Sequence, residues 1–218
     1  MSAAGQLDSA REALVAYGRR MLRDGLVVGT AGNLSVRVGD VIAITPTGAS
    51  YEELRAGDIC VLTPDGEIVE GGRPSSEWHL HRRIYELPGA GAVVHTHSPW
   101  AVTVSATWTE LPAIHYAIVR LGGDSVPVAP YRIFGSEDLA GAVSEVLAGR
   151  YAALLQNHGA VTFGGSLAEA YDRAVLLEWL ARVHCQAKLF GEPTILSASQ
   201  LDNVRAEARR RSYGETAP

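Results

Sequence analysis

Between Gly91 and Pro99 the chain reads Gly-Ala-Val-Val-His-Thr-His-Ser-Pro, an apolar run that meets a helix start with no spacer between them. A run this short, bounded by glycine, reads as a buried β-strand. Ser98 is a natural N-cap and Pro99 suits the first helical position, so a helix follows directly behind His97. A strand that turns at once into a helix constrains the fold more than any other stretch and points to an α/β arrangement. In a strand, residues i and i+2 share a face, so His95 and His97 project side by side, where two imidazoles can grip one cation. The alternative is two unrelated polar residues at a strand end, and only a third ligand from elsewhere decides between them.

The flanking segments supply the remaining elements. From Ser9, the residues Leu14, Val15, Tyr17, Met21 and Leu22 recur at helical spacing, and Gly25 supplies a stop. "NLSVRV", "VIAIT" and "DICVLT" are short β-rich runs punctuated by Gly, Asp and Pro, which predicts a meander of strands to about residue 69. Residues 75–87, "SSEWHLHRRIYEL", predict a helix with a Ser cap and with Leu80, Ile84 and Leu87 on one side. Ser136 with Glu137 and Asp138 opens another helix, stopped by Gly149. "YAALLQNHGAVTF" reads as a strand, a turn at Asn157-His158-Gly159 and a second strand. A long helix starts at Ser166, where Glu169 completes a capping box, and runs to about Phe190. A last helix spans about 199–211, where Arg209, Arg210 and Arg211 suit the negative end of the dipole. No repeat or linker interrupts the chain, so residues 1–218 are expected to form one α/β domain with a C-terminal tail from about 199.

Composition narrows the partners. With 19 Lys and Arg against 24 Asp and Glu, the net charge is −5, and no basic stripe offsets it, which argues against nucleic acid. No apolar run reaches the ~18 residues of a membrane span and no signal peptide opens the chain, so the expectation is a cytoplasmic protein without membrane contact. The two cysteines, Cys60 and Cys185, lie far apart without metal-type spacing, so any metal must be held by His, Asp or Glu.

His158 is the obvious third ligand, because a residue in a tight turn between two strands can reach across a fold; a satisfied core histidine is the bland alternative. Three neutral imidazoles leave a fourth position open, as in a catalytic zinc site. Glu77, at the start of its helix, is either a general base beside that metal or an acid favouring the helix dipole. Ser75 and Ser76 are caps, or donors to an anion, or both. "GTAGNLS" at 29–35 and "TPTG" at 45–48 have the same small, hydroxyl-rich character, with Thr30, Asn33 and Thr47 as donors for an anion site that needs no Lys or Arg. His79 and His81 rank as helix-surface residues or as support behind the ligands, and His115 and His184 as structural.

Taken in order, "GTAGNLSVR", "TPTG", "PSSEWHLH", "VVHTHSPWA", "PAIHYAI", "VPVAPYRIFGS" and "LLQNHGAV" resemble the class II aldolase family of the L-fuculose-1-phosphate aldolase type over roughly residues 8–215. The resemblance implies a three-layer αβα fold around a mainly antiparallel sheet, and a homotetramer with active sites at subunit interfaces. It further implies one Zn²⁺, or another divalent metal, per subunit, held by residues matching His95, His97 and His158, with Glu77 as a further ligand in the resting state. Thr30, Asn33, Gly48, Ser75 and Ser76 would hold the substrate phosphate. Glu77 would be the acid/base, Tyr116 a proton donor from the neighbouring subunit, and Phe134 and the tail residue Tyr213 would line the substrate. The implied reaction is retro-aldol cleavage of a phosphorylated sugar, a ketose 1-phosphate like L-fuculose 1-phosphate, to dihydroxyacetone phosphate and an aldehyde such as L-lactaldehyde.

One departure concerns the tail, where Arg210 replaces an aromatic of the fuculose-type enzymes. Three rivals share the scaffold. Pentulose-phosphate 4-epimerases typically carry Asp at the position of Glu77, methylthioribulose-phosphate dehydratases keep Glu there, and the adducin head is a non-catalytic interaction module that has lost its ligands.

Overall fold

The computed structural model describes residues 2–211. Helix α1 (Ala3–Arg23) begins ahead of the apolar periodicity, because Ser2 accepts a hydrogen bond from the Gly5 amide and so caps it. The meander follows as β1 (Asn33–Val38), β2 (Val41–Ile44), β3 (Cys60–Leu62) and β4 (Ile68–Glu70). After α2 (Trp78–Ile84) come β5 (Ala92–Thr96) and α3 (Pro99–Thr107), the strand and helix that the His-x-His junction demands. Strands β6 (Glu110–Leu111) and β7 (Val126–Ala129) flank a short 3₁₀ helix over Tyr116–Leu121. The chain then forms α4 (Glu137–Val146), β8 (Ala152–Leu155), β9 (Gly159–Gly164), α5 (Leu167–Phe190) and α6 (Ala198–Arg210).

The nine strands of the described residues join one mixed sheet in the order β4-β3-β2-β1-β5-β9-β8-β7-β6, antiparallel throughout except for the parallel pair β7 and β8. Strand β5 lies in the middle and all of it is buried, as its apolar run requires. Its side chains alternate between two cores. Val93 packs with Leu80 and Ile84 of α2 and with Leu139 and Val143 of α4. Ala92 and Val94 face the other way, toward Leu14 and Met21 of α1 and Tyr171 of α5. A third cluster joins Val104 of α3 to Leu177 and Leu180 of α5 and to Leu201 of α6.

Three local expectations change. The helix expected over 75–87 is only the seven residues of α2. Ser75 is drawn away from it by sheet-like bonds: its amide donates to the Thr45 carbonyl at 3.1 Å, and Pro46 and Pro74 form a bridge. Ser98 holds the N-cap position of α3 but makes no capping bond with its side chain. Glu178 of α5 does that instead, accepting from the amides of Trp100 and Ala101 at 3.0 and 2.9 Å. At α5, Ser166 accepts from the Glu169 amide at 3.2 Å, but the Glu169 carboxylate bonds the Gly165 amide at 2.8 Å, so the capping box is displaced by one residue.

Candidate active site

Register decides where the strand histidines go. Across β1 and β5, Asn33 pairs with His95, and across β5 and β9, Thr96 pairs with Ala160. The turn before β9 therefore returns beside the end of β5 and delivers His158. Asn157 takes a left-handed backbone there, with φ of 56°, which suits an asparagine in a tight turn. Two close approaches fix the walls. A Cβ on Gly159 would stand 2.1 Å from the Thr96 carbonyl oxygen, and one on Gly32, where φ is +74°, would stand 2.7 Å from that of His95.

One ligand atom each from Glu77, His95, His97 and His158 falls within 4.8 Å of the others. His95 Nε2 lies 3.0 Å from His97 Nε2 and 3.0 Å from Glu77 Oε2, and His158 Nε2 lies 3.4 Å from Glu77 Oε1. Four ligands around an ion with bonds of about 2.0–2.1 Å would be roughly 3.3 Å apart. The lone pairs also point the right way. His95 Nδ1 is 2.9 Å from the Ala160 carbonyl, which can only accept, so Nδ1 carries the proton and Nε2 faces the centre as a ligand must. Glu77 Oε1 is buried and has no hydrogen-bond partner. This set of three imidazoles and one carboxylate is suited to a divalent metal.

The charges agree with the geometry. Burial and the neighbouring imidazoles push His97 down to about 3, and burial with the His95 charge pushes His158 down to about 4, so both are neutral and ready to donate a lone pair. Burial would lift the Glu77 carboxyl, but His95, His158 and the Asn33 amide outweigh it and hold Glu77 below the usual carboxylate range. Burial would likewise lower His95, but the Glu77 carboxylate outweighs it and raises that imidazole above its usual value. A cation held by these four residues would take over the work of that proton.

Beside the quartet is a pocket lined by the residues of the three loops. Thr30, Asn33, Thr47, Gly48, Ser75, Ser76 and Phe134 all reach it, and among the described residues no Lys or Arg does. Asn33 and Ser75 are buried at its floor, whereas Thr30, Gly48, Ser76 and Phe134 are exposed. Gly135, with φ of +73° and space for a Cβ only 2.8 Å from the Ser76 carbonyl oxygen, lets the Phe134 loop close against the serines. A wider groove past Arg19, Glu53 and Arg55 is lined by none of the four ligands.

Over residues 12–185 the chain matches the family model described as Class II Aldolase and Adducin N-terminal domain. The chain belongs to the class II aldolase family. The 5-deoxy-D-ribulose 1-phosphate aldolase of Bacillus thuringiensis serovar kurstaki is 39% identical over 202 residues, 91% of this chain and 94% of that one. The L-fuculose phosphate aldolase of Escherichia coli K12 is 41% identical over 183 residues, 83% of this chain and 85% of that one. A solved structure of an L-fuculose 1-phosphate aldolase superposes with a TM-score of 0.87 at 34% identity, covering 92% of this chain and 96% of that chain.

Other expected residues of this class II aldolase fall outside the pocket. Tyr116 starts the 3₁₀ helix, is 55% exposed and stacks on His115, but it does not line the pocket of its own chain. Arg210 is exposed on α6 and paired with Glu207 at 2.6 Å. Tyr213 lies outside the described residues. Glu77 sits at the N-cap of α2, where its charge suits the helix dipole, but its carboxylate makes no capping bond and is turned to His95 and His158. His79 is half-buried, away from the quartet, and faces Glu137 at 3.3 Å. His184 is buried against Trp108, with both ring nitrogens unpartnered. Ser35 and Tyr85 escaped the sequence reading although they stand behind the site. Their signal was spacing, since Ser35 is two residues from Asn33 on a strand and Tyr85 four from His81 along α2. Among the described residues no helix is long and apolar enough to cross a membrane.

Proposed function

We propose that this class II aldolase is a zinc enzyme that reversibly cleaves a ketose 1-phosphate between C3 and C4, giving dihydroxyacetone phosphate and a short aldehyde. The observation that carries the reading is the contact of the Glu77, His95, His97 and His158 quartet with a hydroxyl-rich pocket free of Lys and Arg. The chain's single lysine, Lys188, is tied to Glu192 at 2.6 Å near the end of α5, which disfavours a Schiff-base route. His95, His97 and His158 would hold the ion, with Glu77 completing the set before substrate arrives. Bound there, zinc supplies Lewis-acid stabilisation of negative charge developing on the ketose oxygens.

The chain's own groups do the rest. Thr30, Asn33, Gly48, Ser75 and Ser76 bind the phosphate by hydrogen bonds and so fix C2 and C3 beside the quartet. In the synthesis direction the Glu77 carboxylate, through its unpartnered Oε1, takes a proton from C3 of dihydroxyacetone phosphate, and Tyr116 of a neighbouring subunit gives its hydroxyl proton to the aldehyde oxygen as the C3–C4 bond forms. Cleavage is the reverse, with Tyr116 as phenolate taking the C4 hydroxyl proton and protonated Glu77 returning one to C3. Phe134 lines the aldehyde end, and Tyr213 is assigned to substrate binding. The exposed Tyr116 supports a homotetramer with shared sites, and the cores on both sheet faces support a three-layer αβα domain over the whole chain. A cytoplasmic location remains part of this reading.

For the sugar, L-fuculose 1-phosphate with L-lactaldehyde as product is the first reading. A second is 5-deoxyribulose 1-phosphate, favoured by the 39% identical Bacillus relative, and its cleavage releases acetaldehyde. Both sugars, and a pentulose 5-phosphate, should be offered to the zinc-loaded protein while dihydroxyacetone phosphate and the aldehyde are followed. Release of dihydroxyacetone phosphate with one of the two aldehydes is expected, and Glu77→Gln should slow it ~10²-fold or more. Epimerised or dehydrated product without dihydroxyacetone phosphate would replace aldol chemistry with one of the scaffold's other reactions.

A further inference from the structure

Behind Glu77 runs a chain of buried polar groups whose proton positions are all forced. Asn33 Nδ2 lies 3.0 Å from Glu77 Oε2. A carboxylate only accepts, so the amide must turn its N–H toward Glu77 and its Oδ1 the other way. That oxygen meets His81 Nε2. An amide oxygen also only accepts, so His81 must carry its proton on Nε2. His81 is fully buried and has no carboxylate among its hydrogen-bond partners, so its ring is neutral and Nδ1 is a lone pair. Ser35 Oγ stands 2.6 Å from Nδ1 and donates to it, and the Tyr85 hydroxyl, 2.6 Å from Ser35 Oγ, therefore donates to the serine. Every proton in the series Tyr85, Ser35, His81, Asn33 points toward Glu77.

The elements are built for this. Asn33 and Ser35 are two apart on β1 and share the face turned to α2, while His81 and Tyr85 are four apart and share one side of the helical turn. The result at Glu77 is asymmetric. Oε2 is bonded by Asn33 and faces His95, whereas Oε1 has no hydrogen bond and faces His158. We propose that His81 is a positioning residue that, through Asn33, decides which oxygen of Glu77 is tied and which is left bare for the ligand and proton-transfer roles. Without the Nε2–H donor the Asn33 oxygen is left buried with no partner, and only the bond to Glu77 itself still favours the amide's orientation. Once turned over, it would present Oδ1 to a carboxylate that cannot donate, and Glu77 would lose its anchor.

The inference rests on the metal-site reading of Glu77, and the test separates the two. Nitrogen-15 NMR of the zinc-loaded parent should find His81 neutral with its proton on Nε2; a proton on Nδ1 overturns the polarity whatever the enzyme catalyses. Zinc affinity by chelator competition should fall ~10–100-fold in His81→Leu, the usual scale for losing support behind a ligand, and recover most of that in His81→Gln, whose amide N–H can still donate to Asn33. In the same pair kcat should fall and recover together. Equal losses in Leu and Gln variants, following only their thermal stability, would reduce His81 to a packing residue, as would parental affinity in His81→Leu. Should His81→Leu not fold, Ser35→Ala gives the second reading: the Asn33 oxygen still demands a donor, so the proton must stay on Nε2 and zinc affinity near the parent's, and a proton found on Nδ1 would overturn the polarity. A parent that binds no zinc would refute the metal site and leave the tautomer result to stand on its own.

Discussion

Replacing Glu178 with alanine tests whether the helix behind the histidine strand is held by a carboxylate from a distant part of the chain. The first turn of α3 has few orphan donors. Pro99 has no N–H, and Val102 already bonds the Ser98 carbonyl at 3.0 Å, which leaves the amides of Trp100 and Ala101. Glu178 accepts both, one on each oxygen, and brings a negative charge to the positive end of the helix. A bond to a charged group contributes about 1.5–3 kcal/mol, and loss of a cap costs about 0.5–2. Because Glu178 is half-buried, water can replace part of what is lost, so Glu178→Ala is expected to cost about 2–3 kcal/mol. For a chain of this size that is a fall in Tm of about 5–10 °C, readable by calorimetry and by the urea midpoint at unchanged slope. Glu178→Gln keeps one acceptor and should lose about half as much. An alanine variant within about 0.5 kcal/mol of the parent would mean that Ser98 or water caps α3 unaided, and that Glu178 is merely a neighbour.

Gly159→Ala should be harsher than a surface change, at about 3 kcal/mol or more, because its Cβ would stand 2.1 Å from the Thr96 oxygen and part β9 from β5 beside two ligands; parental stability and zinc content would contradict that packing. In chelator-treated protein, stability should fall as pH drops from about 6.5 toward 4. His81 and His97 are held down to about 3 and His158 to about 4, so the unfolded chain binds about three more protons in that window and each pH unit removes up to roughly 4 kcal/mol. His95, raised in the folded state, is protonated in both states through most of that window and opposes the trend only near its upper end. A flat denaturation profile between pH 6.5 and 4 would show that these rings are not buried neutral. Finally, inactive His95→Ala and Tyr116→Phe variants, mixed and reassembled, should regain activity in the hybrids alone. Mixed oligomers no more active than the sum of their parents would return Tyr116 to its own subunit or to no role.

Much of the site was readable because its chemistry is written in short spacings. His95 and His97 two apart on an apolar strand, His158 in a turn, and serines before Glu77 are local patterns, and each is set by the alternation of a strand or the start of a helix. The extent of α2 was not readable, since its first residues have good helical pattern but are pulled into bonds with Thr45 and Pro46, more than twenty-five positions earlier. For His81 two readings stand open in the sequence, helix surface or support behind the ligands, and spacing cannot choose between them. The choice is made only where β1 places Asn33 and Ser35 against both its nitrogens.

From the sequence alone follow the strand and helix periods, the strand-to-helix junction at Ser98-Pro99, and the residue types able to hold a cation without cysteine. Tertiary structure alone decided which of those residues meet. The pairing of Asn33 with His95 and of Thr96 with Ala160 brings three separate stretches to one end of β5. The same folding sent Glu178 to cap a helix that Ser98 leaves uncapped. The physical reason is range: dihedral preference and side-chain period act over a few neighbouring residues, whereas ligand sets, borrowed caps and the polarity of a buried hydrogen-bond chain depend on groups that only sheet register and core packing bring within about 3 Å.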